Sequence, residues 1–184
     1  MITLAIIHEA QNKDVCAQRI LFDCYGKVFF RLARRYISDP VKAEDAVAEA
    51  VYIIFQKMHT CHFIAVPPFE MWMKRIVVNE CLKILKKEKR FEIMIETEED
   101  PYYVDDATIE NLSAEEIIKV IEELPAGYRT IFNLYEIEGY THSEIAEMLG
   151  ISPGTSKSQL SKAKSLLQKR IIELDPVYAK RKVV

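Results

Sequence analysis

Apolar positions recur at three- and four-residue steps along most of the 184-residue chain, the spacing that gathers side chains on one face of an α-helix. Between about Asp14 and Ile37, the residues Ile20, Leu21, Tyr25, Val28, Phe29 and Leu32 keep this rhythm and predict a first long helix. Asp39-Pro40 supplies a capping acceptor followed by a proline suited to the first helical position. A second helix is predicted from there to near His59, with Ala43, Val47, Ala50, Val51, Ile54 and Phe55 on its inner side. Pro67-Pro68 opens a third, running to about Arg90. No clear stretch alternates with period two, so strands are not expected.

The second half is punctuated more sharply. Ser113 and Glu116 have capping-box spacing, and so do Thr141 and Glu144. Pro125 begins a helix expected to run to about Glu138 and to carry Ile131, Phe132, Leu134 and Tyr135, with Gly139 as its terminator. A short helix with Ile145, Ala146, Met148 and Leu149 inside should end at Gly150, a residue that accepts left-handed backbone. Ser152-Pro153 then starts a last helix reaching roughly Leu174. A short helix, a tight glycine turn and a longer helix make a helix-turn-helix.

Glycine is scarce, at 5 residues, which agrees with a fold poor in the turns that sheets need. The expected fold class is all-α. Two small helical domains, 1–90 and 113–184, are joined by an acidic flexible linker, 91–112, and the second is a four-helix domain containing the helix-turn-helix. No stretch approaches the roughly 20 apolar residues of a membrane helix. The apolar opening Met1 to Ile7 lacks the basic leader and cleavage site of a signal peptide. Cys16, Cys24, Cys61 and Cys81 show no CxxC spacing, which fits small apolar residues in a reducing, cytoplasmic setting.

A net charge of −3 speaks against nucleic acid as a partner until its distribution is read. Met71 to Arg90 holds seven bases (Lys74, Arg75, Lys83, Lys86, Lys87, Lys89 and Arg90) against Glu80 and Glu88. Phe91 to Glu110 holds eight acids and no base, and Thr155 to Arg170 holds five bases and no acid. Two basic helices separated by an acidic tether form a footprint for DNA at two places.

On the last helix, steps of about 100° per residue put Leu160, Ala163, Leu167, Ile171 and Leu174 on a core side. The opposite side collects Thr155, Ser158, Ser161, Lys162, Ser165 and Lys169, flanked by Lys157 and Gln159. Hydroxyls and an amide reach base edges or phosphates in a major groove, and lysines neutralise phosphates. A solvated surface would have the same residues, but the helix-turn-helix context favours DNA. On the third helix, Trp72, Arg75, Asn79, Lys83, Lys86 and Arg90 share a stripe opposite Val77, Val78, Cys81, Ile84 and Leu85. An aromatic within a cationic stripe suits unpaired DNA, whose bases stack while phosphates seek cations. Trp72 alone would equally serve as a core residue.

These segments carry a resemblance. LFDCYGKVFFRLARRYISDPVKAEDAVAEAVYIIF (21–55), FEMWMKRIVVNECLKILKKEKR (69–90) and IIKVIEELPAGYRTIFNLYEIEGYTHSEIAEMLGISPGTSKSQLSKAKSLL (117–167) resemble, in order, regions 2 and 4 of the extracytoplasmic-function, or group 4, sigma factors of the sigma-70 family. The resemblance implies a subunit that directs RNA polymerase to promoters without catalytic residues or cofactors. It implies contact with core RNA polymerase by Glu44, Asp45 and Glu49, and with the minus-10 element by Trp72, Arg75, Asn79, Lys83 and Lys86. Thr155, Lys157, Ser158, Gln159, Ser161 and Lys162 fall on the minus-35 reading helix. Ala48 and Val51 stand where glutamine and phenylalanine are common, and Lys162 and Lys164 where arginines are usual. Lysine keeps the phosphate contact but not arginine's planar fork. An anti-sigma factor is a partner the resemblance permits.

Three other classes compete with this reading. A free-standing repressor or activator would bind duplex DNA without polymerase. An enzyme or metal protein could be argued from His59, Cys61 and His62, but a four-ligand zinc site needs a second pair of ligands at suitable spacing. A helical adaptor without a DNA role leaves the segregated charge unexplained.

Overall fold

A computed structural model of the chain describes residues 2–88 and 114–174, apart from the side chains of 114–117 and 174. The described residues are helical, without strands, and fall into two compact units, Met1–Lys89 and Arg90–Val184. The acidic segment 91–112, Arg90, the Ser113 cap and the Leu174 side chain lie outside what is described.

Four helices build the first unit: α1 (Leu4–Gln11), α2 (Val15–Tyr36), α3 (Pro40–Lys57) and α4 (Val66–Lys87). The sequence pattern predicts three, because the apolar opening Met1 to Ile7 is set aside as too short and unlike a signal peptide, with no helix assigned to it. That stretch is the start of α1, capped by Thr3 and buried through Ile7 and Ala10, one turn apart. The Gln11 side-chain amide then donates to the carbonyls of Met58 and Cys61 at 2.6 and 2.7 Å, tying α1 to the 3-10 turn (Met58–Thr60) that follows α3. Asp14 and Asp39 cap α2 and α3 with side-chain oxygens that accept from backbone N–H groups of the first turns.

The core of this unit takes Leu21, Phe29, Leu32, Ala33 and Tyr36 from α2, Ala43, Ala46, Val47, Ala50 and Ile54 from α3, and Phe69, Met73, Val77, Val78, Cys81, Leu82 and Leu85 from α4. Ile20 and Val28, expected inside, are exposed, while Tyr25 is half-buried. The buried stripe of α2 rotates onto the small residues Ala17 and Ala33, which admit close helix packing and which a reading of large side chains passes over. Tyr25 donates to Glu70 at 2.7 Å, linking α2 to α4. Burial, reinforced by that carboxylate, pushes its phenol above the ordinary tyrosine range. Lys42 pairs with Glu88, joining the start of α3 to the end of α4.

The second unit contains α5 (Ala114–Glu123), α6 (Ala126–Phe132), α7 (His142–Leu149) and α8 (Pro153–Leu174). Val120, Ile121 and Leu124 from the α5 segment, Tyr128 of α6 and Ala163, Leu167 and Ile171 of α8 make one cluster, joined by Phe132 and Leu166 at its margin. Ile145 and Leu134 are fully buried. The helix expected to continue from Pro125 to Glu138 does not stay α: it opens into a π turn over Asn133–Ile137, where the Glu138 N–H donates to the Asn133 carbonyl at 2.9 Å. Tyr135, within this turn, is partly exposed.

Candidate nucleic-acid interfaces

In the first unit, the stripe on α4 is positioned by the core on the far side of the same helix. With Val77, Val78, Cys81 and Leu85 sealed inside, Lys74, Arg75, Asn79, Lys83 and Lys86 are exposed. Trp72 is half-buried at the head of the stripe, where its ring lies 5.3 Å from Phe63 and stacks on Phe69 at 6.1 Å. Phe63 and Phe69 meet edge-on at 5.0 Å. Trp72 thus packs at the margin of the core with part of its ring still accessible. Glu80 counts against the basic stripe in sequence, yet it is buried and bonded to Lys83 at 2.7 Å. Glu44, Asp45 and Glu49 stand exposed on α3, and a groove of about 780 Å³ passes Glu44 between α2 and α3, lined also by Phe22, Phe30 and Val47.

In the second unit the helix-turn-helix has the local chemistry its sequence foretold. Thr141 and Glu144 form both bonds of a capping box at the start of α7. Gly150 ends α7 with φ of 72°, a left-handed backbone that suits glycine. Ser152 accepts the Thr155 N–H at 2.9 Å at the head of α8. Leu160, Ala163, Leu167 and Ile171 are buried, so the opposite face of α8 is accessible. Lys157, Ser158 and Ser161 are exposed there, with Thr155 and Lys162 half-buried.

Gln159 requires correction. Sequence reasoning puts it at the flank of the reading face, but it is buried, 7% exposed. It sits next to Leu160 on the inward-turning flank, and a single residue's step from an exposed neighbour is enough to enclose an amide. Part of the hydroxyl inventory is also internal: Ser158 donates to the Thr155 carbonyl at 3.0 Å and Ser165 to the Ser161 carbonyl at 3.1 Å. Ser156, which sequence reasoning does not single out, is completely buried and bonded to His142. The signal available was its position one residue before the exposed Lys157 and four before the core residue Leu160.

His59 and His62 are exposed and Cys61 half-buried, its thiol directed to the Lys57 carbonyl at 3.7 Å. Among the described residues no group of three or more His, Cys, Asp or Glu side chains is disposed to hold a metal ion, and no helix is long and apolar enough to cross a membrane.

The two units therefore present an exposed cationic stripe beside an aromatic cluster and a helix-turn-helix with a polar outer face, the features of a helical DNA-binding protein. Comparison with known proteins identifies the kind. The family model for Sigma-70 region 2 matches residues 21–91, and that for Sigma-70, region 4 matches residues 114–167. The ECF RNA polymerase sigma factor SigM of Mycobacterium tuberculosis is 28% identical over 169 residues, covering 87% of this chain and 84% of that protein. The RNA polymerase sigma factor SigV of Bacillus subtilis is 28% identical over 175 residues, covering 89% of this chain and 98% of that protein. Among solved structures, the sigma factor RpoE of Bartonella quintana, in complex with the anti-sigma factor NepR, superimposes with a TM-score of 0.51 at 20% identity, covering 85% of this chain and 97% of that one. CnrH in complex with the cytosolic domain of CnrY gives 0.50 at 18% identity, covering 93% and 97%. The chain belongs to the sigma-70 family, among its extracytoplasmic-function members.

Proposed function

We propose that the chain is the promoter-recognition subunit of RNA polymerase, acting through binding alone, in the cytoplasm where polymerase works. Domain 1–90 docks on core RNA polymerase and takes the unpaired minus-10 strand, and domain 113–184 reads the minus-35 duplex, with 91–112 as the tether between them. The observation that supports this most strongly is the match of both family regions, in order, on one chain.

The residues take the following roles in this reading. Glu44, Asp45 and Glu49 on α3 offer carboxylates to the core enzyme. Arg75, Asn79, Lys83 and Lys86 follow the minus-10 strand, with Trp72 as the surface on which a base stacks. Extruding a base from the duplex costs a few kcal/mol, which phosphate contacts along this stripe offset. Thr155, Lys157, Ser158, Ser161 and Lys162 face the upstream major groove. None of these steps makes or breaks a covalent bond, so no catalytic residue or cofactor is assigned. By likeness to RpoE, found with the anti-sigma factor NepR, a restraining protein of that class is a partner here too.

The test is co-purification of the full chain with core RNA polymerase at low salt, followed by run-off transcription on genomic fragments. Association and discrete transcripts are expected. A protein that ignores the core enzyme, or that binds duplex DNA tightly without it, would be a different kind of regulator.

A further inference from the structure

Two neighbouring side chains of the π turn touch the helix-turn-helix at separate points. Tyr135 stacks on the ring of His142, the first residue of α7, with centroids 4.3 Å apart and planes 21° from parallel. His142 Nδ1 in turn lies 2.9 Å from the Oγ of the fully buried Ser156, in the first turn of α8. Glu136, next to Tyr135, reaches α8 directly: its Oε1 is 2.7 Å from Lys164 Nζ. Ser156 and Lys164 are eight residues apart on one helix, which at 1.5 Å per residue is about 12 Å. Leu160, Ala163, Leu167 and Ile171 already seat α8 through its apolar face, and the two polar contacts add directional restraints at separate points along it. π turns are rare and concentrate at functional sites, and this one places both contacts on the helix whose angle in the groove decides which side chains reach the bases.

We propose that Tyr135, Glu136 and His142 are positioning residues for the reading helix, and that Lys164 is a strut held by Glu136 instead of a phosphate ligand. This rests on the minus-35 role given to α8 above. The lysines of α8 then differ in what they do. Lys157 and Lys164 both stand at the surface; Lys157 lies in the first turns of the helix, where base and phosphate contacts would fall, while the Lys164 ammonium is ion-paired with Glu136 of the π turn.

The experiment is salt-dependent binding of holoenzyme, reconstituted from core RNA polymerase and the full chain, to a promoter fragment obtained by run-off transcription. Each phosphate contact contributes about one unit to the slope of log affinity against log salt. Lys157→Gln should therefore lower the slope by about one. Lys164→Gln should weaken binding several-fold with the slope unchanged, and the exchanged pair Glu136→Lys with Lys164→Glu should recover most of the loss. His142→Ala, which leaves the Ser156 hydroxyl without its partner, should weaken binding about tenfold. His142→Asn, which keeps a polar atom near the place of Nδ1, should restore much of that affinity. A slope reduced by Lys164→Gln, or an exchanged pair as weak as Glu136→Lys alone, overturns the brace while leaving the reading helix intact. A slope unmoved by Lys157→Gln removes the reading helix itself, and the brace with it.

Discussion

Both charged helices pair one lysine internally, Lys83 with Glu80 and Lys164 with Glu136, but they differ in how much of the remaining polar face is left open. On α4, Arg75, Asn79 and Lys86 stand exposed, and Glu80, the acid that would dilute them, is buried against the helix and bonded to Lys83. On α8, Gln159 is enclosed, the buried Ser156 holds His142, and Lys164, though at the surface, is paired with Glu136. In the proposed reading, a surface that follows a flexible unpaired strand gains from many exposed cations and an aromatic platform. One that enters a rigid groove gains from a fixed orientation, the part proposed for the polar groups of the π turn. Counting charges along a sequence treats both helices alike and overstates the free surface of the second.

The largest effect that would sharpen this contrast comes from reversing charge at the outer face of α8. Lys157→Glu together with Lys162→Glu should abolish promoter-specific run-off transcription, since lost contacts at about 1–3 kcal/mol each compound with new repulsion. Association with core polymerase should persist. Loss of core association as well would mean that the two surfaces are not separable.

Next comes the aromatic support of the first unit. Phe69 is fully buried against Phe63 and Trp72, and Phe69→Ala should lower unfolding free energy by about 3–5 kcal/mol. Trp72 is the sole tryptophan, so its fluorescence in urea reports this unit. An unchanged midpoint would contradict the packing described.

A smaller effect, about 1–3 kcal/mol for one polar contact to a base, is expected from Asn79→Ala. Permanganate reactivity at the minus-10 region should fall while upstream duplex contacts stay intact. Undiminished melting would take Asn79 out of the strand-binding stripe.

The smallest effect concerns acid–base chemistry. Burial, with Glu80 adjacent, raises the Cys81 thiol from 9.0 to about 12. The folded state therefore holds this proton more tightly than the unfolded chain. The resulting stability is complete below pH 9 and is lost as pH rises toward 12. Tyr25, raised in the same direction by burial and Glu70, adds to the alkaline loss. At neutral pH, Cys16 and Cys24, both exposed, should alkylate readily and Cys81 slowly. Equal rates would deny the sealed face of α4.

Much of the architecture was legible because it rests on local chemistry. Asp39-Pro40, Thr141 with Glu144, Gly150 and Ser152-Pro153 all mark helix ends where the sequence places them. The α4 stripe was legible for the same reason, since about half a helical turn separates the buried Val77, Cys81 and Leu85 from the exposed Arg75, Asn79 and Lys83. Other features depend on tertiary neighbours and were not. Helix α1 was hidden in an apolar opening too short to show a helical period, and the stripe of α2 turned onto alanines. The π turn leaves no residue-type signature, so spacing carries the helix unbroken to Glu138, and neither the Tyr135–His142–Ser156 chain nor the Glu136–Lys164 pair could be drawn from it.

The most direct measurement is site-specific photo-crosslinking of holoenzyme to a promoter, with the reactive group placed at Lys86 in one protein and Ser158 in the other. Crosslinks from Lys86 are expected at unpaired bases near the start site, and those from Ser158 at duplex DNA upstream, as two separate sets. Both groups marking the same stretch of DNA, or neither reaching DNA at all, would contradict the account.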